Sequence, residues 1–520
     1  MFLYRSLLVS LIHPSVTGTV SMATEDTPLL VSPQPATNSD IKRVVLACSP
    51  MLLLTAADSA FMLASFPTLG SQFGHLDDVP WGMIAYQVGV IFGQSVYSRL
   101  SDQYSRRRVL LLAHFLFIIG IGCQCLAPNF WVIVGARSIT GLGTAGMPLM
   151  LNTILNDICS EKTRSAWHGI NPLGQLLGAV GGGYIVDHYG WQIAFQGEFV
   201  WAVLSFLIVW WCLPHGRLDD SRIQCNIRAA PILALSLISL VFCLDNDLAG
   251  VVVPLIPFIA FSLAFWWLER NVTPPLLPWK RLRDKPMAYV IGIAPITAFI
   301  DMSILNLVPY YAQISNLRTV MAIGGLSMVF TVGEILGHLL CSSIQRDRHV
   351  FISSRALSCL SVGVLLSNKD WVKLVGLILA GFSSGLANGT SITMIMRYTQ
   401  RKGVERDRCI LYGVFHLVIA MGNLLAQSMI IWLLQRLIAS NIRSSLHREL
   451  PDDIDKLVKH CLESFDYSGT LPAWLSRRVR ASFLEAIQTC FGCMLVISVI
   501  GAIVSFRYGS RYPKSASDTS

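Results

Sequence analysis

Residues 97–112 read YSRLSDQYSRRRVLLL, and this stretch decides the fold because it places Asp102 and the triplet Arg106, Arg107 and Arg108 between two long apolar segments. A soluble domain has little use for that arrangement. Between membrane spans it reads as a short cytosolic hinge, since arginines resist translocation and hold a loop on the inner face. Asp102 is placed to pair with the arginines or to sit at a helix N-terminus, where the helix dipole favours an anion.

Composition extends the same reading to the whole chain, in which 53% of the 520 residues are hydrophobic and 14% are charged. The mean hydropathy is +0.55. Apolar runs near the 20 residues that cross a bilayer recur along nearly all of it, which predicts an all-α polytopic membrane protein. Spans are expected at about 44–66, 81–98, 109–127, 130–152, 166–186 and 191–213, then about 230–246 and 249–268. A last group falls at about 287–308, 321–344, 351–367, 372–396, 408–437 and 483–506, giving about fourteen transmembrane helices. Twelve is the alternative, with the pair at 230–268 re-entrant or interfacial.

Lysine and arginine set the orientation. Arg99, Arg106 to Arg108, Lys162, Arg164, Arg217, Arg222, Arg228, Arg270, Lys280, Arg281, Arg283, Lys285, Arg397, Arg401, Lys402, Arg406 and Arg408 gather on alternate loops. Both termini are therefore expected in the cytosol, and the formal charge of +9 is an anchoring device. No nucleic-acid partner follows from it; the lipid bilayer does. The expected division is a cytosolic tail 1–43, a six-helix bundle 44–213, an inserted helix pair with cytosolic linker 214–286, a second six-helix bundle 287–507 with a long outer loop 438–482, and a tail 508–520. The 13 cysteines are scattered without a disulfide framework. Cys490 and Cys493, a C-x-x-C inside the last span, are expected to pack. Neither a metal site nor a cofactor is implied. The first 21 residues, with Arg5, make a poor signal peptide, and Met22 is a second candidate start.

Function enters through repetition and intramembrane charge. SPMLLLTAADSAFMLASFP carries Pro50, Asp58 and Pro67, and APITAFIDMSILNLVP carries Pro295, Asp301 and Pro309. The two opening helices thus suggest related six-helix bundles with a midplane site between them. Charges inside a bilayer are costly, so Asp58, Glu198, Asp301 and Glu334, set against Arg137, are the candidates for a proton and substrate pathway. Their acidic excess favours a cationic substrate or protons. Each has a bland alternative as a structural ion pair. His338 and His416 are expected to be satisfied packing residues.

Several motifs then converge on one family. The frame Leu100, Ser101, Asp102, Arg106 and Arg107 resembles the signature loop of the major facilitator superfamily, with Ser98 and Ser105 where the family has glycines, which removes its glycine-based turn. Arg137, Gly141 and Gly143 in ARSITGLGTAG match the R-x-x-x-G-x-G of helix 4 in proton-coupled facilitators. The same run satisfies G-x-G-x-x-G, but no strand precedes it, so a dinucleotide site is excluded. Gly174, Gly178 and Gly182 in helix 5 line one face at four-residue spacing, which admits a close helix neighbour. They resemble the antiporter signature of drug:proton exporters, with Ala179 replacing its proline and so losing a built-in kink. Gly381-Phe382-Ser383-Ser384-Gly385 fits a hydrolase G-x-S-x-G in a mid-span setting where close helix contact is the better reading.

The resemblance covers nearly the whole chain and points to the fourteen-helix drug:proton antiporter branch of the major facilitator fold. SFDYSGTLPAWLSRRVRASFLEAI, residues 464–487, is similar to the outer loop of fungal vacuolar basic amino acid transporters. Glu25, Leu29 and Leu30 form an acidic dileucine, a site for a sorting adaptor. What this implies is a proton-coupled secondary transporter of a small-molecule substrate, an amino acid and foremost a basic one, at the vacuolar membrane, with Asp102, Arg106 and Arg107 as a gating loop. The alternatives are a plasma-membrane exporter of drugs or toxins and a non-transporting sensor with a transporter-like body. An ATP-driven pump is disfavoured, because a Walker loop requires G-K and no lysine follows a glycine.

Overall fold

The computed structural model describes residues 38–75, 78–158, 170–213, 229–245, 252–271, 277–315, 319–343, 347–367, 369–403, 408–446, 454–463, 467 and 471–509. In a bilayer each backbone polar group must be satisfied within its own segment, and the described residues are accordingly helical. The first six rods are α1 (Asn38–Phe73), α2 (Val79–Gln103), α3 (Arg106–Cys125), α4 (Phe130–Ile158), α5 (Ile170–Leu176, Leu177–Gly182 and Gly183–Tyr189 in succession) and α6 (Trp191–Cys212). Two more, α7 (Ala229–Asp245) and α8 (Val252–Asn271), precede α9 (Lys285–Ile314), α10 (Val320–Ser343), α11 (Asp347–Leu365), α12 (Asp370–Arg401), α13 (Arg408–Leu446) and α14 (Ala473–Gly509). Among the described residues nine helices are long and apolar enough to cross a membrane, and Ala229–Cys243 and His349–Leu365 are shorter apolar helices.

The packing is written twice. In the first six rods α4 lies against α2 and α3, α1 against α5 and α6, and α3 against α6; eight rods later α12 lies against α10 and α11, α9 against α13 and α14, and α11 against α14. The two bundles meet along two seams, α2 with α13 and α5 with α10. Rod α7 touches both α2 and α13, so the inserted pair lies over the first seam. There Trp81 of α2 stacks near Phe242 of α7 at 5.0 Å.

Apolar side chains gain little from meeting each other in lipid, so close approach of backbones has to hold the rods together. The glycines provide it. On α4, Gly141 abuts the backbone of Tyr86 in α2 while Gly143 abuts that of Phe117 in α3. On α5, Gly174 meets Leu53 and Ala56, Gly178 meets Ala57 and Gly182 meets Phe61, all on α1. Gly381 and Gly385 of α12 lie against the α10 backbone at Phe330, Glu334 and His338.

Three expectations need correction. Helix α5 lacks the family proline at Ala179, yet it is not a regular helix there: Leu177–Gly182 form a π segment, which widens the turn by a residue and supplies the irregularity another way. The outer loop is largely helical, because α13 continues to Leu446, α14 starts at Ala473 and Ile454–Glu463 forms its own helix. Ile454, Leu457, Val458 and Cys461 recur at helical spacing and are buried against α13, in one cluster with Leu475 and Val479 of α14. Burial pushes the Cys461 thiol up to about 11, so it stays protonated at neutral pH. The hinge of residues 97–112 is shorter than expected. Helix α2 runs through Gln103, and Ser105 caps α3 by accepting from Arg108 N at 3.4 Å, so serine replaces the glycine turn with a side-chain cap.

Replacement of Gly178 by valine should cost about 1–3 kcal/mol by overpacking the α1–α5 contact. Gly181→Ala, which meets open space, should leave thermal unfolding of the detergent-purified protein unchanged.

Candidate functional site

Helix periodicity places the four intramembrane acids. On α6 the buried positions Trp191, Ala194, Phe195, Glu198, Ala202, Ser205 and Val209 form one stripe, while Phe199, Val200 and Leu204 are exposed. Glu198 therefore points into its bundle. On α10 Val332, Leu336, Leu339 and Leu340 are exposed, and Ser327, Thr331, Glu334 and His338 lie on the opposite side of the helix. That polar stripe faces the other bundle, for Thr331 donates to Gln175 of α5 at 3.4 Å.

In the first bundle the acids converge on one arginine. Arg137 Nη1 donates to Asp58 Oδ1 at 2.6 Å, joining α4 to α1, with both side chains buried. The guanidinium also stacks 4.4 Å from the Tyr86 ring centroid, and Tyr86 shares a 3.1 Å hydrogen bond with Ser59. Glu198 stands beside this pair, near enough to act on both charges. Among the described residues no donor reaches either Glu198 oxygen, nor Asp58 Oδ2, apart from the carboxyl that each acid presents to the other.

The second bundle repeats the composition in a looser form, and it contains a residue that the sequence reading missed. Asp301 of α9 accepts from Ser384 of α12 at 2.6 Å, and Asn388 donates to Ser384 at 3.3 Å. Glu334 of α10 lies near enough to feel the Asp301 charge. Arg355 of α11, only 3% exposed, donates to Thr297 Oγ1 of α9, one turn from Asp301. Arg355 fell four residues into the short span expected from 351, where an arginine looks like a flank. The signal available was its apolar setting, VFISSRALSCL. His338 Nδ1 bonds Gly385 O at 2.7 Å, and His416 packs beside Phe415.

A second missed residue, Asp187, works across the bundles. Its two carboxylate oxygens accept from Val320 N and Met321 N, both at 2.8 Å, and so cap α10 from α5. Around this cap Ala64 and Val186 of the first bundle pack against Ala312, Val320, Ile323 and Leu326 of the second. The bundles are thus joined at the end opposite the arginine hinge. Of the hinge, Arg107 donates to Trp210 O of α6 at 2.7 Å and stacks on the Trp210 ring, contacts that stay inside its own bundle. Arg106 opens α3. The Asp102 side chain and the dileucine Glu25, Leu29 and Leu30 lie outside the described residues. Among the described residues no cluster of metal ligands occurs.

Removing one member of a buried ion pair leaves an uncompensated charge, at about 3–5 kcal/mol. Arg137→Ala should therefore lower the unfolding temperature more than the double change Asp58→Asn with Arg137→Gln, as scanning calorimetry of the purified protein will show.

The geometry agrees with what the chain resembles. The family model for the Major Facilitator Superfamily matches residues 48–435. In Schizosaccharomyces pombe, the vacuolar membrane amino acid uptake transporter fnx2 is 25% identical over 87% of this chain and 81% of its own. The multidrug resistance protein fnx1 of the same organism is 24% identical over 96% of this chain and 99% of its own. Among solved structures, the human organic anion transporter MFSD10 aligns with a TM-score of 0.58 at 14% identity, covering 89% of this chain and 99% of that one. A bacterial homologue of the human lysosomal transporter Spinster, inward-facing and unoccupied, gives 0.58 at 14% identity over 91% and 98%. These two likenesses bear on the fold alone. A family match over most of the length, on paired helical bundles with charges turned inward, makes the chain a member of the Major Facilitator Superfamily: a multi-pass membrane transporter and not an enzyme.

Proposed function

We propose that this transporter is a proton-coupled carrier of amino acids, basic ones foremost, that works by alternating access at the vacuolar membrane. The observation that carries the proposal is the trio Asp58, Arg137 and Glu198. One guanidinium balances one carboxylate, and the second carboxyl is balanced only by a proton. Such a trio is neutral with the proton bound and carries one negative charge without it, so the proton leaves only when that charge meets water or a cation.

The substrate side rests on the second bundle. Asp301 and Glu334 are both only partly buried and sit mid-helix on stretches packed against α12. Acids in that position suit a cationic side chain, which needs a compensating charge once it leaves water. The similarity to fnx2 supports an amino acid, and that to fnx1 supports a drug as the second reading. Rocking of the two bundles about the α2–α13 and α5–α10 seams would expose the space between them to each side in turn. Vacuolar placement rests on the dileucine Glu25, Leu29 and Leu30, read by a sorting adaptor, together with the outer-loop resemblance.

Purified protein in proteoliposomes with an imposed pH gradient should accumulate labelled arginine. In Glu198→Gln the gradient-driven part should fall to the level seen without a gradient, while exchange of internal for external arginine persists. A carrier indifferent to the gradient before mutation would sink the proton coupling. A tagged chain bearing Leu29→Ala and Leu30→Ala should leave the vacuole for the cell surface under the microscope.

A further inference from the structure

Arg137 and Arg355 are both buried arginines, yet their charges are in different states of use. Arg137 holds a carboxylate at 2.6 Å and a tyrosine face at 4.4 Å. Arg355 holds only neutral groups: its Nη1 donates to the Thr297 hydroxyl, its Nε reaches Ser354 Oγ at 3.5 Å, and its guanidinium lies 5.9 Å from the Phe351 ring centroid. Among the described residues no acceptor reaches its buried Nη2. A guanidinium is a rigid fork of five donors matched to a carboxylate, and burying it without one costs several kcal/mol.

The acids near it are occupied elsewhere or held off. Thr297 and Asp301 are one helical turn apart on the same face of α9, so the hydroxyl stands where the acid would otherwise reach the arginine. Asp301 instead accepts from Ser384, and its charge acts on Arg355 from a distance longer than an ion pair. A cation bonded only to neutral groups and a displaced anion thus stand on either side of the Thr297 hydroxyl. An α-amino acid offers the complementary charges, a carboxylate and an ammonium on one carbon.

We propose that Arg355 is the anchor for the α-carboxylate of the substrate, with Asp301 taking the α-ammonium and Glu334 the cationic side chain. The assignment rests on the amino-acid reading above and sharpens it: the substrate must carry an α-carboxylate, so decarboxylated amines are rejected. Thr297 and Ser354 are positioning residues that aim the guanidinium.

Competition in proteoliposomes tests it, with labelled arginine as substrate and agmatine, which is arginine without its carboxylate, as competitor. Wild-type protein should discriminate between unlabelled arginine and agmatine by about tenfold or more, the worth of one charge-assisted hydrogen bond. Arg355→Gln should lose that discrimination, and Arg355→Lys should recover part of it. A purely structural arginine would lower the yield of folded protein and leave the ratio of the two competitors unchanged. Should Arg355→Gln fail to fold, the wild-type ratio and Thr297→Val, which frees the fork but keeps its charge, still decide. Equal competition by agmatine in wild-type protein, or discrimination surviving in Arg355→Gln, overturns the anchor alone. No uptake of labelled arginine, lysine or histidine by wild-type protein overturns the amino-acid reading and the anchor together.

Discussion

A carboxylate and a guanidinium 2.6 Å apart, enclosed by apolar helices, constrain everything around them. Each charge alone costs about 2.5–3.5 kcal/mol at the centre of a spanning helix, so Asp58 fixes α1 against α4 wherever Arg137 lies. The glycines of α4 then draw α2 and α3 to backbone contact, and those of α5 draw it onto α1. Glu198 enters this frame from α6 with no donor but the Asp58 carboxyl among the described residues. The bundle is closely packed in its backbone and holds one carboxyl more than its arginine balances.

The second bundle shares the helix arrangement and departs in the chemistry. Its arginine comes from α11 where the first bundle draws its own from α4, and hydroxyls stand between it and the acids. One half thus holds a closed ion pair, and the other an arginine and an acid held apart.

Much of the fold was legible because lipid imposes length. Runs near 20 residues can be counted, and each expected span corresponds to one of the rods. The repeat of Asp58 and Asp301 after a proline was also legible, since both halves preserve it. Charges near the ends of the expected spans were not. Arg355 and Asp187 looked like flanks, because a sequence shows where a charge lies along a helix and not which neighbour it faces. The helical parts of the outer loop escaped for a related reason: Leu457, Val458 and Val479 are too sparsely placed to suggest a span, and only the bundle beneath them explains their burial. In α5 the missing proline was read as a lost kink, whereas a π turn needs no special residue and leaves no mark in composition.

The clasp formed by Asp187 has an unequal inheritance. On α5 it depends on one side chain, but on α10 it is received by peptide N–H groups at Val320 and Met321, which every residue except proline provides. Drift along α10 can therefore retune the surface it turns to α5 and α12 without loosening the closure of that end. The lineage of this carrier is free to change what it carries while keeping the same door.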